Sequence, residues 1–207
     1  MTSYSTYALA DLLDAFASND PVPGGGSAAA LTGALGVSLL IMVAGLPKTR
    51  TGAPEEAADL SRASARLRPL RESLTELIDR DAAAYQSVVA AYRLAKLSND
   101  EQAHRAQAIG DAMLAATATP LDTMRLCQQA LEGAAIVAVN GLGSAGSDVA
   151  VAIELLLTAA KGAAMNVDAN LPAMNDRARG EQIRLERKEL EAESIAAAQR
   201  ARKSLTT

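Results

Sequence analysis

The chain has 207 residues and a mass of 21.4 kDa, enough for one full hydrophobic core, with a net charge of −4 and a pI near 5.1. That balance, with no basic run interleaved with aromatics, excludes general nucleic-acid binding, and a single Cys127 beside a single His104 excludes an intrachain disulfide and a zinc cluster. Hydrophobic residues make up 49% but aromatics only 2%, so Ala, Leu, Val, Ile and Met build a core that lets helices approach closely, and the fold class is all-α.

A first helix is expected over residues 6–17, with Leu9, Leu12, Leu13 and Phe16 on one side. The run from Ser18 through Asp20, Pro21 and Pro23 to Gly24, Gly25 and Gly26 breaks it. The next 20 residues, 27–46, carry no charge and are long enough to span a bilayer. Ser27, Thr32, Gly33, Gly36 and Ser38, the lack of an aromatic belt and the lack of basic residues at its start fit better a central helix in a soluble bundle, with no membrane partner. No basic stretch precedes an apolar one at the N-terminus, so the expectation is a cytoplasmic protein without a signal peptide.

Where the glycines enter this helix, backbone amides can approach a ligand closely, and the helix start offers unpaired N–H donors with a partial positive charge. Ser27 is the expected N-cap. Such a turn suits a carboxylate, a phosphate or a polarised carbonyl, and close helix packing is its other account. It lacks the Gly-Lys-Ser/Thr ending and the preceding strand of a nucleotide loop. Beyond the uncharged helix, Lys48 and Arg50 are either cations for an anionic ligand or solvated loop charges.

The third helix opens with Pro54 in its first turn. Read in sevens it gives Leu60, Leu67, Leu74, Asp81, Val88 and Ala95, with Ala63, Leu70, Leu77, Ala84 and Ala91 as the companion row. Both rows cross Pro69, which predicts a kink there and not a break. A carboxylate inside an inward stripe is costly unless it is paired or takes up a proton. Asp81 is therefore either a buried acid satisfied by a neighbouring cap or arginine, or a functional one. Tyr85 follows one turn later, on the same side.

Ser98-Asn99-Asp100-Glu101 has the spacing of a capping box and starts a fourth helix, expected to end near Thr119. His104 reads as solvated on it. Pro120 should open another helix reaching residue 139, with Cys127 as a small core residue. A glycine-rich turn over residues 140–146 precedes Ser147-Asp148, a polar helix start for which capping alone is the favoured account and ligand binding the other. Asn166 and Asn170, four apart, share a face, either as C-terminal caps or as ligand amides. The charged tail from residue 180 onward, with Ile183, Leu190 and Ile195 as a narrow apolar stripe, reads as a peripheral helix or dimer arm on a single domain spanning 1–207.

Taken in order, Pro-Gly-Gly-Gly-Ser-Ala-Ala-Ala-Leu-Thr-Gly-Ala-Leu-Gly (23–36), Asp81-Ala-Ala-Ala-Tyr85 with Val88, Ser147-Asp148, and Asn166-Val167 with Asn170 resemble the formiminotetrahydrofolate cyclodeaminase family. That family includes the single-domain methenyltetrahydrofolate cyclohydrolases of bacterial one-carbon metabolism. The resemblance implies an antiparallel, all-helical bundle around the uncharged helix, usually homodimeric, that takes a reduced folate as substrate without metal or cofactor. It implies Asp81 and Lys48 as catalytic residues. As substrate-binding residues it implies Gly24, Gly25, Gly26, Ser27, Arg50, Tyr85, Ser147, Asp148, Asn166 and Asn170. The family's usual lysine after the uncharged helix aligns with Arg50, with Lys48 close by, and Arg80 stands where a second acid is common. The implied reaction is hydrolysis of 5,10-methenyltetrahydrofolate to 10-formyltetrahydrofolate. The alternatives are cyclodeamination of 5-formiminotetrahydrofolate with release of ammonia, and a non-catalytic folate-binding or structural dimer.

Overall fold

The computed structural model describes residues 3–205, so the outermost ends of the expected 1–207 domain lie outside the described residues. Among the described residues six α-helices make up the fold: α1 (Leu9–Ala17), α2 (Gly25–Ala44), α3 (Pro54–Tyr92), α4 (Asn99–Asn140), α5 (Gly146–Asn170) and α6 (Arg177–Leu205). Among the described residues there is no strand, only an isolated bridge between Thr49 and Gly141. The all-α bundle is as expected. Helix α2 lies against α3 and α5, and α4 lies against the same two, so these four close around a core of Val37, Leu40, Leu74, Leu131, Ile153 and Leu156.

Small residues set the spacing. A methyl group on Gly36 would stand 2.9 Å from Leu156 Cγ, and one on Gly33 3.0 Å from Cys127 Sγ, so α2 sits closer to its neighbours than alanine allows. Helix α2 is the one described helix long and apolar enough to cross a bilayer, yet its Val37, Leu40 and Val43 lie in the core. It is not covered all round: Leu35 is 53% and Met42 44% exposed, with Leu31 and Leu39 half-buried on the same side. Beside it, α5 leaves Val151 50% and Met165 70% exposed.

Several local expectations change. The first helix begins at Leu9, after a short 3-10 turn at Tyr4–Thr6, and Leu9 and Leu13 are exposed while only Leu12 is fully buried. The capping box at Ser98 forms, with Ser98 Oγ accepting from the Glu101 amide and the Glu101 carboxylate accepting from the Ser98 amide. Pro69 lies within a continuous α3. Pro120 does not end a helix, because α4 runs unbroken through it to Asn140. A proline ring removes one N–H and so orphans the carbonyl four residues earlier, here Ala116. Asn170 Nδ2, from α5, donates to that oxygen at 2.8 Å.

The charged tail is less peripheral than its composition suggests. Helix α6 lies along α4 and α5, burying Ile183, Leu190, Ala197, Ala198 and Ala201, while Ile195 stays exposed. Its charges are not merely solvated: Arg187 reaches Asp168 at 2.8 Å, and Glu186 holds Arg125 at 2.6 Å. His104 is exposed and Cys127 fully buried, as expected, and burial pushes the Cys127 thiol up to about 12.

Candidate active site

The N-terminal turn of α2 presents amides that have no partner inside the helix. One of them is satisfied from outside. Asp81, on α3, places Oδ2 2.8 Å from the Ser27 amide and 3.0 Å from Ser27 Oγ. Ser27 is therefore not the N-cap, a position that falls to Gly24, but the third helical residue, fully buried and held by the acid. The amides of Gly25 and Gly26 have no acceptor among the described residues. The buried-and-capped account of Asp81 is thus correct for Oδ2, while Oδ1 accepts no hydrogen bond there and is left for chemistry.

Gly26 makes this approach possible. A Cβ at that position would lie 2.0 Å from Asp81 Oδ1 and 2.5 Å from its Cγ. Gly25 is under no such constraint, since its Cβ would meet Asn166 Nδ2 at an ordinary 3.5 Å.

Burial pushes the Asp81 carboxyl above its usual range, against the two Ser27 hydrogen bonds that favour the charged form. The local geometry agrees. Ser27 Oγ carries one proton but has two acceptors in reach, Asp81 Oδ2 and the Ile78 carbonyl at 2.9 Å. A proton on Asp81 resolves the conflict, because the acid then donates to Ser27 Oγ while Ser27 donates to Ile78. The site can hold the carboxyl in either state.

Asp81, Gly24, Gly25, Gly26, Tyr85, Asn166 and Asn170 line one pocket of about 290 Å³, with Val88 and Met113 as apolar wall. The side-chain amides are fixed from behind. Asn166 Nδ2 donates to the Gly162 carbonyl at 2.9 Å, and Asn170 to Ala116 as described, so each is oriented by its own nitrogen. Tyr85 is not a core residue; it stands 44% exposed at the rim. Met113 and Ala116 were not legible as site residues, since α4 gives no polar signal there. A larger hollow of about 710 Å³ lies around Pro69 and Gly133, some three turns of α3 away from Asp81.

Lys48, Arg50, Ser147 and Asp148 are not in this pocket. Lys48 and Arg50 follow the C-terminal end of α2, whose 20 residues span about 30 Å. Lys48 is exposed, whereas Arg50 is half-buried and donates to the Ala138 carbonyl at 2.7 Å, while its amide donates to Asn140 at 2.9 Å. It thereby caps the end of α4. Ser147 and Asp148 sit in the first turn of α5, whose N-cap is Ala145, and make no side-chain cap bond. Glu56, missed in the sequence, organises the loop between: its carboxylate accepts from Thr49 Oγ1 at 2.6 Å, Thr51 Oγ1 and amide at 2.9 Å, and the Gly52 amide at 3.2 Å. The Thr49 hydroxyl first, and then the amide bonds, hold it down at about 2. Its position three residues after Ala53, at a helix start, was the available signal.

Comparison with known proteins matches residues 8–189 to the family model described as formiminotransferase-cyclodeaminase. A methenyltetrahydrofolate cyclohydrolase from Methylorubrum extorquens is 38% identical over 170 residues, covering 82% of each chain. The mouse formimidoyltransferase-cyclodeaminase is 33% identical over 154 residues, 74% of this chain but 28% of the mouse protein. The crystal structure of formiminotetrahydrofolate cyclodeaminase from Thermotoga maritima superposes with a TM-score of 0.86 at 25% identity, covering 97% of this chain and 96% of that one.

Proposed function

The chain belongs to the formiminotransferase-cyclodeaminase family, and we propose that it is an enzyme whose Asp81 pocket hydrolyses 5,10-methenyltetrahydrofolate to 10-formyltetrahydrofolate. The observation that carries this reading is a single carboxyl group pinned by Oδ2 to the start of α2, with Oδ1 open to the pocket and its proton affinity raised.

The methenyl carbon is an amidinium cation bridging N5 and N10. A helix N-terminus repels a cation, and the charge of Asp81 offsets that repulsion. Water attacks the carbon as Asp81 Oδ1 takes its proton, so the C–O bond forms and the cation is discharged. Protonated Asp81 then gives that proton to N5 as the C–N5 bond breaks and its electron pair goes to nitrogen. The hydroxyl loses its own proton, forming the formyl C=O on N10, and that proton leaves to solvent. One water and the cation thus yield 10-formyltetrahydrofolate and one proton. The free amides of Gly25 and Gly26 receive the oxygen as it becomes a carbonyl. The fixed amides of Asn166 and Asn170 bind the polar edge of the ring.

The fold match to a cyclodeaminase supports a second reading, in which the same acid protonates a leaving amine of 5-formiminotetrahydrofolate. Ammonia release from that substrate, outpacing methenyl hydrolysis, would select it. The test of the first reading is the near-ultraviolet absorbance of 5,10-methenyltetrahydrofolate mixed with purified protein. Loss should be accelerated over buffer, and Asp81→Asn should slow it at least about 100-fold. Unaccelerated loss with the wild-type protein overturns the proposal.

The working unit in this proposal is a homodimer. The open apolar rows of α2 (Leu31, Leu35, Leu39, Met42) and of α5 (Val151, Leu155, Met165) support it, since rows of that kind on adjacent helices commonly mark an interface. Pairing α2 antiparallel with its counterpart about a twofold axis lays the end of one α2 against the beginning of the other. The partner's Lys48 and the partner's Arg50 then approach the Asp81 pocket.

A further inference from the structure

A pocket of about 290 Å³ takes the bicyclic ring and one-carbon bridge of a reduced folate, but not the benzoyl-glutamate that follows them. A second hollow, of about 390 Å³, adjoins it and shares Pro21, Val22 and Tyr85 in its wall. Resting on the function proposed above, we infer that this second hollow holds the p-aminobenzoyl-glutamate half of the substrate, with Tyr85 against the aromatic ring and Arg93 on the glutamate carboxylates.

The register of α3 supplies the path. Asp81, Tyr85, Val89 and Arg93 are four residues apart, the oblique ridge that winds along a helix, and the last three line the second hollow. From Asp81 to Arg93 the rise is about 18 Å, and a long helical side chain leans back toward the N-terminus by several ångströms. The remaining gap matches the roughly 10–12 Å that ordinary bond lengths put between the bridge carbon and the glutamate carboxylates. Tyr85, exposed at the junction, offers a face to the benzoyl ring, and Val89 continues the apolar wall.

The opposite wall is built firmly. Asp79, two residues before Asp81 on α3, accepts from the Tyr4 amide at 2.6 Å and the Ser5 hydroxyl at 2.6 Å, fixing the N-terminal segment to α3. Tyr4 is thereby buried against Val22, donating to its carbonyl at 3.3 Å. Charge completes the case. Arg93 makes no salt bridge among the described residues, so its guanidinium is available. Asp20 is the acid of this hollow and opposes an anionic tail, which makes Arg93 the group on which tail binding depends.

The test compares wild type with Arg93→Ala on two substrates, 5,10-methenyltetrahydrofolate and 5,10-methenyltetrahydropteroate, which lacks the glutamate. The ratio of the two KM values should collapse by about tenfold in the variant, carried by a higher KM for the glutamate-bearing substrate with kcat moved less than about twofold. Arg93→Lys should restore part of the ratio, and Asp20→Asn should lower the KM for the glutamate-bearing substrate alone. Equal changes on both substrates, or none, overturn the inference. Calorimetric binding of 5-formyltetrahydrofolate and 5-formyltetrahydropteroate to the same proteins separates it from the proposed reaction. Glutamate selectivity lost in Arg93→Ala upholds the subsite even if no hydrolysis occurs, and unselective binding by the wild type removes it.

Discussion

A methyl group at Gly26 and the carboxylate of Asp81 compete for one volume, 2.0 Å apart, and nothing flexible lies between them. In Gly26→Ala the acid must swing off the Ser27 amide, losing the contact that fixes Oδ1. Hydrolysis should fall at least about 100-fold, toward the level of Asp81→Asn. Gly25→Ala, whose Cβ meets Asn166 at ordinary contact distance, should cost far less, and equal losses in the two variants would refute the packing argument. The raised proton affinity of Asp81 has two consequences of opposite sign. The base form is needed for attack, so kcat/KM should rise with pH through a value above the usual carboxylate range, and this limb should vanish in Asp81→Asn. For folding, an acid that holds its proton more tightly in the native state loses stability as pH climbs from its unfolded value of 3.8 through its folded one. Asp81→Asn should therefore raise the melting temperature at neutral pH while removing activity, the exchange expected of a strained functional acid.

Pro120 shows how an element can escape a reading of the sequence. A proline in the middle of a helical pattern predicts an end, because it orphans a carbonyl, and the partner that rescues Ala116 is 54 residues away in the chain. The heptad rows of α3, the capping box of α4 and the uncharged α2 were legible because each is set by neighbours within a few turns. Ser27 was recognised as important but given the wrong role, since whether a serine is the N-cap or the third residue depends on where the glycines turn helical. The double duty of Asn170, completing α4 while facing the pocket, was not legible at all. It also gives a test. Asn170→Ala leaves the Ala116 oxygen unpaired and should cost about 1–2 kcal/mol. In Pro120→Ala the new amide can take that oxygen, so the same Asn170→Ala change should cost about 1 kcal/mol less in that background. Urea denaturation of the four proteins measures the coupling, and strict additivity would show that Asn170 does not serve Ala116.

At the scale of the molecule, the implied site is split. Asp81, the glycine turn and the two asparagines stand at one end of α2; at the other end of its roughly 30 Å length Lys48 and Arg50 follow it, and Ser147 and Asp148 open the antiparallel α5 beside its last turns. That separation was itself readable, because 20 helical residues fix it, whereas the open side of α2 was not: an uncharged helix looks the same whether it faces its own core or a second copy. The proposed antiparallel pairing of α2 with its counterpart brings the two halves together, and it makes a prediction that separate sites in each chain do not. With Lys48 catalytic, as the family resemblance implies, Asp81→Asn and Lys48→Ala should each be nearly inactive. In a dimer of one of each, the site built on the altered Asp81 faces the altered Lys48, so both defects fall into one site and the other is intact. Random mixing makes half the dimers hybrid, and activity should return to about a quarter of wild type. Leu35→Glu, placed on the exposed row of α2, should abolish the recovery by separating the chains, with sedimentation reporting monomer. A mixture that forms hybrid dimers yet stays as inactive as its components would mean that Lys48 acts within its own chain or not at all.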